Sequence, residues 1–366
     1  QGDNLSNVVQ SAGSTGSTAR VSQTANVPTN GAPSNDSDVR QSAANGDARV
    51  TQVGNDNASD LVQSGAEADA IVAQTGSGNT SSLTQSALSV DAQVTQRGTG
   101  NNSTASQSGE RGFLVVDQDG GNNQSDVVQA GNGTNNFHGG NYLEQDIEIS
   151  QKGNDNKATV TQLADGPFPR GTGAGTTGQG INENDSYVGV EQIGNANEAT
   201  ATQSGFYQVA DVHQIGNDNK ATFTQTGSYH YAVVEQSGDR NRSNLTQSGG
   251  GVTAGTTFGG NGNFALQPDF QSPGVLQSGD DNASDLSQSG GRNRAFVNQS
   301  GNSNQSNLIQ TGDSGQVMVA QSGDFNRSSV NQGGLNNSAT VSQASDGNVS
   351  GVNQSGNGNS ATVTQN

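Results

Sequence analysis

The amino-acid sequence predicts an all-β fold, a two-sheet parallel β-solenoid (β-helix) with 22-residue coils and Gln/Asn ladders, and three observations carry that prediction. Gln recurs at an 11-residue step along most of the chain. An aliphatic residue stands two places before almost every one of these Gln, and a small residue stands four places before. A Gly-bearing turn follows each Gln and is richest after alternate ones. Composition alone points elsewhere. Of 366 residues, 28% are hydrophobic and 4% aromatic, with 53 Gly and a formal charge of −19, the profile of a disordered polymer. A thick core of Leu, Ile and Phe is missing, so order has to come from regular hydrogen bonding around a thin, repetitive interior.

The Gln ladder is the first element. It runs through Gln41, Gln52, Gln63, Gln74, Gln85, Gln96, Gln107, Gln118 and Gln129, and resumes at Gln151 and Gln162. It continues through Gln192, Gln203, Gln214, Gln225, Gln236 and Gln247. The last run is Gln277, Gln288, Gln299, Gln310, Gln321, Gln332, Gln343, Gln354 and Gln365. Val50, Leu61, Val72, Leu83 and Val94 fill the aliphatic slot, and Ala48, Ser59, Ala70, Ser81 and Ala92 the small one. Positions i, i+2 and i+4 share one face of a strand, so small, aliphatic and Gln point inward together. A side-chain amide both donates and accepts, so Gln stacked on Gln can be buried and still satisfied.

The turns are the second element. The form Q-x-G-N-x-N or a close variant appears at Gly54 to Asn57, Gly153 to Asn156, Gly194 to Asn197 and Gly216 to Asn219. Gly and Asn tolerate positive φ, which makes these runs arcs between strands. The richer arc follows Gln52, Gln74, Gln96 and Gln118, then Gln192, Gln214 and Gln236, so the true period is 22 residues. Two strands and two arcs close one flat coil, and coils stack at about 4.8 Å through parallel, in-register bonds.

Residues 1–40 read as a less regular N-terminal segment, with Gln10 and Gln23 off the step, and residues 41–366 as the solenoid. Insertions interrupt it near 130–150, where Gly140 stands in the place of Gln, and at 163–186 and 248–272. The latter two are Gly- and Pro-rich and share A-G-T-T, at Ala174 to Thr177 and Ala254 to Thr257. Loops leaving one edge of a solenoid are the expectation for them.

Several function classes are disfavoured. Cys is absent, so neither disulfides nor a Cys-based zinc site is available. Only 14 Lys and Arg argue against nucleic acid, which is bound through phosphate contacts. No apolar run approaches the ~20 residues of a membrane-spanning helix, so no membrane insertion is expected. The lack of an opening signal peptide suits a mature chain after its removal. His138, His213 and His230 fall at three different places in their units, so no catalytic cluster forms and enzyme activity is not expected. Asp56, Asp155 and Asp218 lie in arcs that could stack oxygens around calcium, yet no G-G-x-G-x-D array exists, and no cofactor or metal is expected.

The unit Gln214-Ile215-Gly216-Asn217-Asp218-Asn219-Lys220-Ala221-Thr222-Phe223-Thr224-Gln225 resembles the curlin repeat of bacterial curli subunits. The resemblance extends from about Gln41 to Gln365. It implies an extracellular functional amyloid on the cell surface and in the biofilm matrix, exported unfolded. The partner it implies is the chain itself, in a head-to-tail homopolymer, served by a nucleator and secretion machinery of the curli type. The residues support polymerisation independently. The final unit places Ala361, Val363 and Gln365 inward with only Asn366 after them, so its strand edge is expected to be a polymer end that recruits another strand. The alternative is a monomeric β-solenoid acting as a surface-binding, adhesin or ice-binding protein. Its basis is outward Thr pairs at Thr159 and Thr161, Thr200 and Thr202, Thr222 and Thr224, and Thr362 and Thr364.

Overall fold

A computed structural model describes residues 4–25, 35–130, 145–163, 186–249, 264–265 and 274–366. The insertions read from the sequence fall largely outside these residues. The chain divides into two compact units, residues 1–165 with 188–196 and residues 166–187 with 197–366. Each unit is a parallel β-solenoid, and no helix occurs among the described residues.

In the first unit two ladders of strands flank a thin interior. One ladder stacks Leu5–Gln10, Asp36–Gln41, Ala58–Gln63, Thr80–Gln85, Asn102–Gln107, Gln124–Gln129 and Lys157–Leu163. The other stacks Thr18–Thr24, Asp47–Asn55, Asp69–Ser77, Asp91–Thr99, Gly112–Gly121 and Gln145–Asn154, then Tyr187–Ile193, of which 188–193 lie in this unit. All the pairings are parallel and in register, Gln on Gln. The alternation of the sequence explains the strands: Ala48, Val50 and Gln52 are buried while Asp47 and Arg49 face out. Aliphatic side chains such as Val50, Leu61, Val72 and Leu83 fill the centre, with amides at either side.

Leu5–Gln10 and Thr18–Thr24 form a coil ahead of Asp36–Gln41 and Asp47–Asn55. Gln10 lies in register with Gln41 and Gln23 with Gln52, at separations of 31 and 29 residues. Their off-step spacing marks longer connections. The interruptions behave in the same way. Gln118 bonds Gln151 and Gln129 bonds Gln162 across 33 residues, and Gln151 bonds Gln192 across 41. The ladder closes over the added residues and keeps its register, which is why Asn156 still stacks on Asn123.

In the second unit Glu198–Ile215 and Lys220–Ser237 each run as one 18-residue strand through an arc, turning at Gly205 and Gly227 with positive φ. Arg242–Gly249, Ala283–Ser289, Gln305–Asp313, Arg327–Leu335 and Val349–Gln354 continue one ladder. Val275–Ser278, Arg294–Ser300, Gln316–Ser322, Ser338–Gln343 and Ser360–Gln365 continue the other. From Gly279 onward Gly turns at positive φ follow the Gln of both ladders, as at Gly290, Gly301 and Gly312. Asn282, Asn293, Asn304 and Asn326 are buried behind them. The first unit differs. Its second kind of arc buries Ala68 and Val90 where the other kind buries Asn, with Ala87 in the same apolar cluster.

Candidate functional site

The feature repeated at every level of the stack is the polar face that one coil offers the next. Gln52 Nε2 donates to Gln74 Oε1 at 2.8 Å, to the Asn57 carbonyl at 3.1 Å and to the Asp36 carbonyl at 2.8 Å. Gln74 repeats this toward Gln96 at 2.8 Å, with the Asn79 and Ala58 carbonyls as further acceptors. Carbonyl oxygens accept only from an amino group, so these contacts dictate which way each amide points. In the facing ladder Gln63 donates to Gln85, Gln85 to Gln107 and Gln107 to Gln129. The second unit runs the same way, through Gln203 to Gln225 to Gln247 to Gln288 to Gln310, and through Gln214 to Gln236 to Gln277 to Gln299 to Gln321. Every Gln in these columns aims its amino group at the coil later in sequence.

In the Asn column Oδ1 accepts from the later coil. The backbone N–H and Nδ2 of Asn79 both donate to Asn57 Oδ1, at 3.2 and 3.0 Å, and Asn101 does the same to Asn79. Asn219 donates to Asn197, and Asn326 to Asn304, from the backbone N–H. The face toward the later coil thus presents Gln amino groups together with Asn Oδ1 and Nδ2, the latter donating to Gly carbonyls as Asn57 does to Gly76 at 3.1 Å, and the opposite face presents Gln Oε1, Gly carbonyls and the Asn backbone N–H. A coil laid on another upside down would set amino group against amino group.

The predicted turn residues hold this geometry. Gly54, Gly153, Gly194 and Gly216 have φ of +115° to +121°, and Asn57, Asn156, Asn197 and Asn219 are fully buried. A Cβ on Gly54 would lie 1.9 Å from the Gly76 carbonyl oxygen. Gln192 completes its column in the first unit, and Gln354 is buried and accepts from Gln332. Ala361, Val363 and Gln365 stack on Ala339, Val341 and Gln343 and are half-buried.

Three features escaped the sequence. Four residues after the Gln the backbone turns left-handed whatever the side chain, at Asp56, Ala196, Arg240 and Phe325. Because identity there varies, no residue type marks the slot. A third column, on the arc surface, links the Asn217 N–H to Asp239, then Asp239 to Asp280, Asp280 to Asn302 and Asn302 to Asp324. The lack of any protein hydrogen-bond partner for the inward Ser hydroxyls is the third.

Charge is confined to the exterior. Asp47, Asp69 and Asp91 stack in one column, and partial burial together with the Asp69 carboxylate pushes the Asp91 carboxyl up. Arg240 grips Asp281 through two bonds of 2.7 and 2.8 Å and holds its carboxyl below the usual range. Burial, helped by Asp211, raises the Tyr231 hydroxyl. His213 and His230 do not meet: His213 pairs with Asp211 at 3.2 Å on the surface and His230 is buried in an Asn-type slot, while His138 lies outside the described residues. Asp56, Asp155 and Asp218 occupy left-handed arc positions, and among the described residues no three His, Asp or Glu gather as a metal site. Thr200 and Thr202 do stack on Thr222 and Thr224, but the next levels bring Asn244 and then Asp285 into the array.

A model of the curlin associated repeat matches residues 194–227, 216–249, 279–312, 313–344 and 336–366. The last three stretches cover the coils in which Gly turns follow the Gln of both ladders. No curated protein matches the chain.

Proposed function

The chain is a curlin-repeat protein, and from that premise we propose that it is a structural subunit of an extracellular, curli-like amyloid fibre. Copies stack head to tail, the later face of one coil on the earlier face of another, and the fibre serves the biofilm matrix and adhesion at the cell surface. The observation that carries this reading is the single direction of the Gln amide columns, with each Asn Oδ1 accepting from the later coil. Because each coil repeats the same donor and acceptor code, any uncovered coil is complementary to the opposite face of another copy. Such an interface is heterologous and related by translation along the stack, so it generates an open filament rather than a closed ring. Each junction adds backbone bonds along two strands and extends the side-chain ladders, which is the arrangement that makes cross-β stacks stable. A polar register of this kind also excludes the inverted docking that would pair donors with donors.

The test is negative-stain microscopy of the full chain diluted from denaturant, without seeds, sampled over hours. Unbranched filaments of uniform width that lengthen with time are expected. Particles that stay one molecule long at high concentration would overturn the proposal.

A further inference from the structure

Ten buried Ser hydroxyls form two interior columns, one in each unit. They are Ser37, Ser59, Ser81, Ser103 and Ser125, and Ser243, Ser284, Ser306, Ser328 and Ser350. Each stands four residues before a ladder Gln, points inward and is at most 8% exposed. None of the ten Oγ atoms has a protein hydrogen-bond partner. A regular fold that leaves the same buried group unpaired at consecutive levels calls for a ligand, because an unbonded buried hydroxyl is costly and an immobilised water is cheap.

The equivalent slot of the facing ladder admits larger groups than Ser. In the facing ladder of the first unit the same position holds Ala48, Ala70 and Ala92, and then Leu114 and Ile147, all buried. In the second unit it holds Val317. Leu and Ile carry two more heavy atoms beyond Cβ than Ser does. A water molecule is one.

The spacing also fits. Parallel strands lie about 4.8 Å apart, so successive Oγ atoms are too distant to bond directly. A water midway along the axis and offset by about 1.4 Å lies about 2.8 Å from both, an ordinary O–H···O distance. We propose that each Ser column holds a file of single waters, one between successive levels, bonded to the Oγ above and the Oγ below. Each hydroxyl within a column then donates to one water and accepts from the other, those at its ends meeting a single water, and a continuous hydrogen-bonded chain runs inside the solenoid beside the Gln column. The file belongs to the interior of each unit and does not depend on assembly into fibres.

Water-edited solid-state NMR of the full chain reads this directly. Magnetisation from water is expected to reach Ser81 and Ser103 Cβ about as fast as the exposed Ser64 Cβ, and several times faster than Ala70 Cβ in the facing slot. Ser103→Ala is the second measurement. It removes a partner from two waters, so Ser125, whose other neighbour is Ala158, is expected to lose its fast build-up, Ser81, which keeps the water shared with Ser59, to slow only in part, and the melting temperature to fall. Ser81 and Ser103 lagging with Ala70 would overturn the file. So would a melting temperature that stays the same or rises in Ser103→Ala, since that is the response of a hydroxyl with nothing bound to it.

Discussion

At the residue scale, the same residue type does unequal work depending on what lies one level away. Gly76 sits at φ +119°, and a Cβ there would stand 1.9 Å from the Gly98 carbonyl oxygen. Gly347 sits at φ +70° with nothing near its missing Cβ. Gly76→Ala combines backbone strain with a clash against a main chain held on both sides, and is expected to cost on the order of 3 kcal/mol or more. Gly347→Ala meets only the left-handed penalty, about 1 kcal/mol. Stability is distributed over neighbouring repeats, so amide exchange resolves how far each loss spreads. Protection at Val72 and Val94 is expected to collapse in the first variant. In the second, loss is confined to the coil around Gly347.

At the scale of the element, the two kinds of arc in the first unit are separate solutions to one problem. After Gln74 or Gln96 the arc buries Asn79 or Asn101, whose amides complete a column. After Gln63 or Gln85 it buries Ala68 or Val90 instead, and the Gln amide still reaches the carbonyl of that residue. Val90→Asn would place an amide between Ala68 and Gly112, with no Asn above or below. The expected loss is about 1–3 kcal/mol, the cost of an unpaired buried polar group. A lowered melting temperature with faster exchange of the adjoining strands, Thr80–Gln85 and Asp91–Thr99, would register it. No change would mean that the arc admits Asn singly and that the column matters less than its regularity implies.

At the scale of the whole molecule, a formal charge of −19 acts against any association of copies. The carboxylates of the described residues lie on the outside, several in columns such as Asp47, Asp69 and Asp91, so the proposed stacking of two subunits begins against repulsion. The Debye length falls to about 10 Å at 0.1 M salt. Seeded elongation, followed by light scattering, is therefore expected to speed up severalfold between about 0.01 M and 0.1 M salt. A rate indifferent to salt would mean that charge does not limit docking of the stacking faces.

The sequence by itself determined the inward triplet of small, aliphatic and Gln, the Gly–Asn arcs and the parallel stack. Those follow from a period, and a period is visible along one dimension. Gln52, Gln74 and Gln96 announce their column because each lies 22 residues from the next. Only the tertiary structure decided how the ladder closes across 33 or 41 residues, since the match there is made in space and not along the chain. The same holds for Gln10 and Gln23, whose step is irregular but whose partners are not. Direction was equally hidden. A Gln side chain has no preferred sense until backbone carbonyls one level away select its amino group, and a Ser hydroxyl is unpaired only when its neighbours stand too far off to bond.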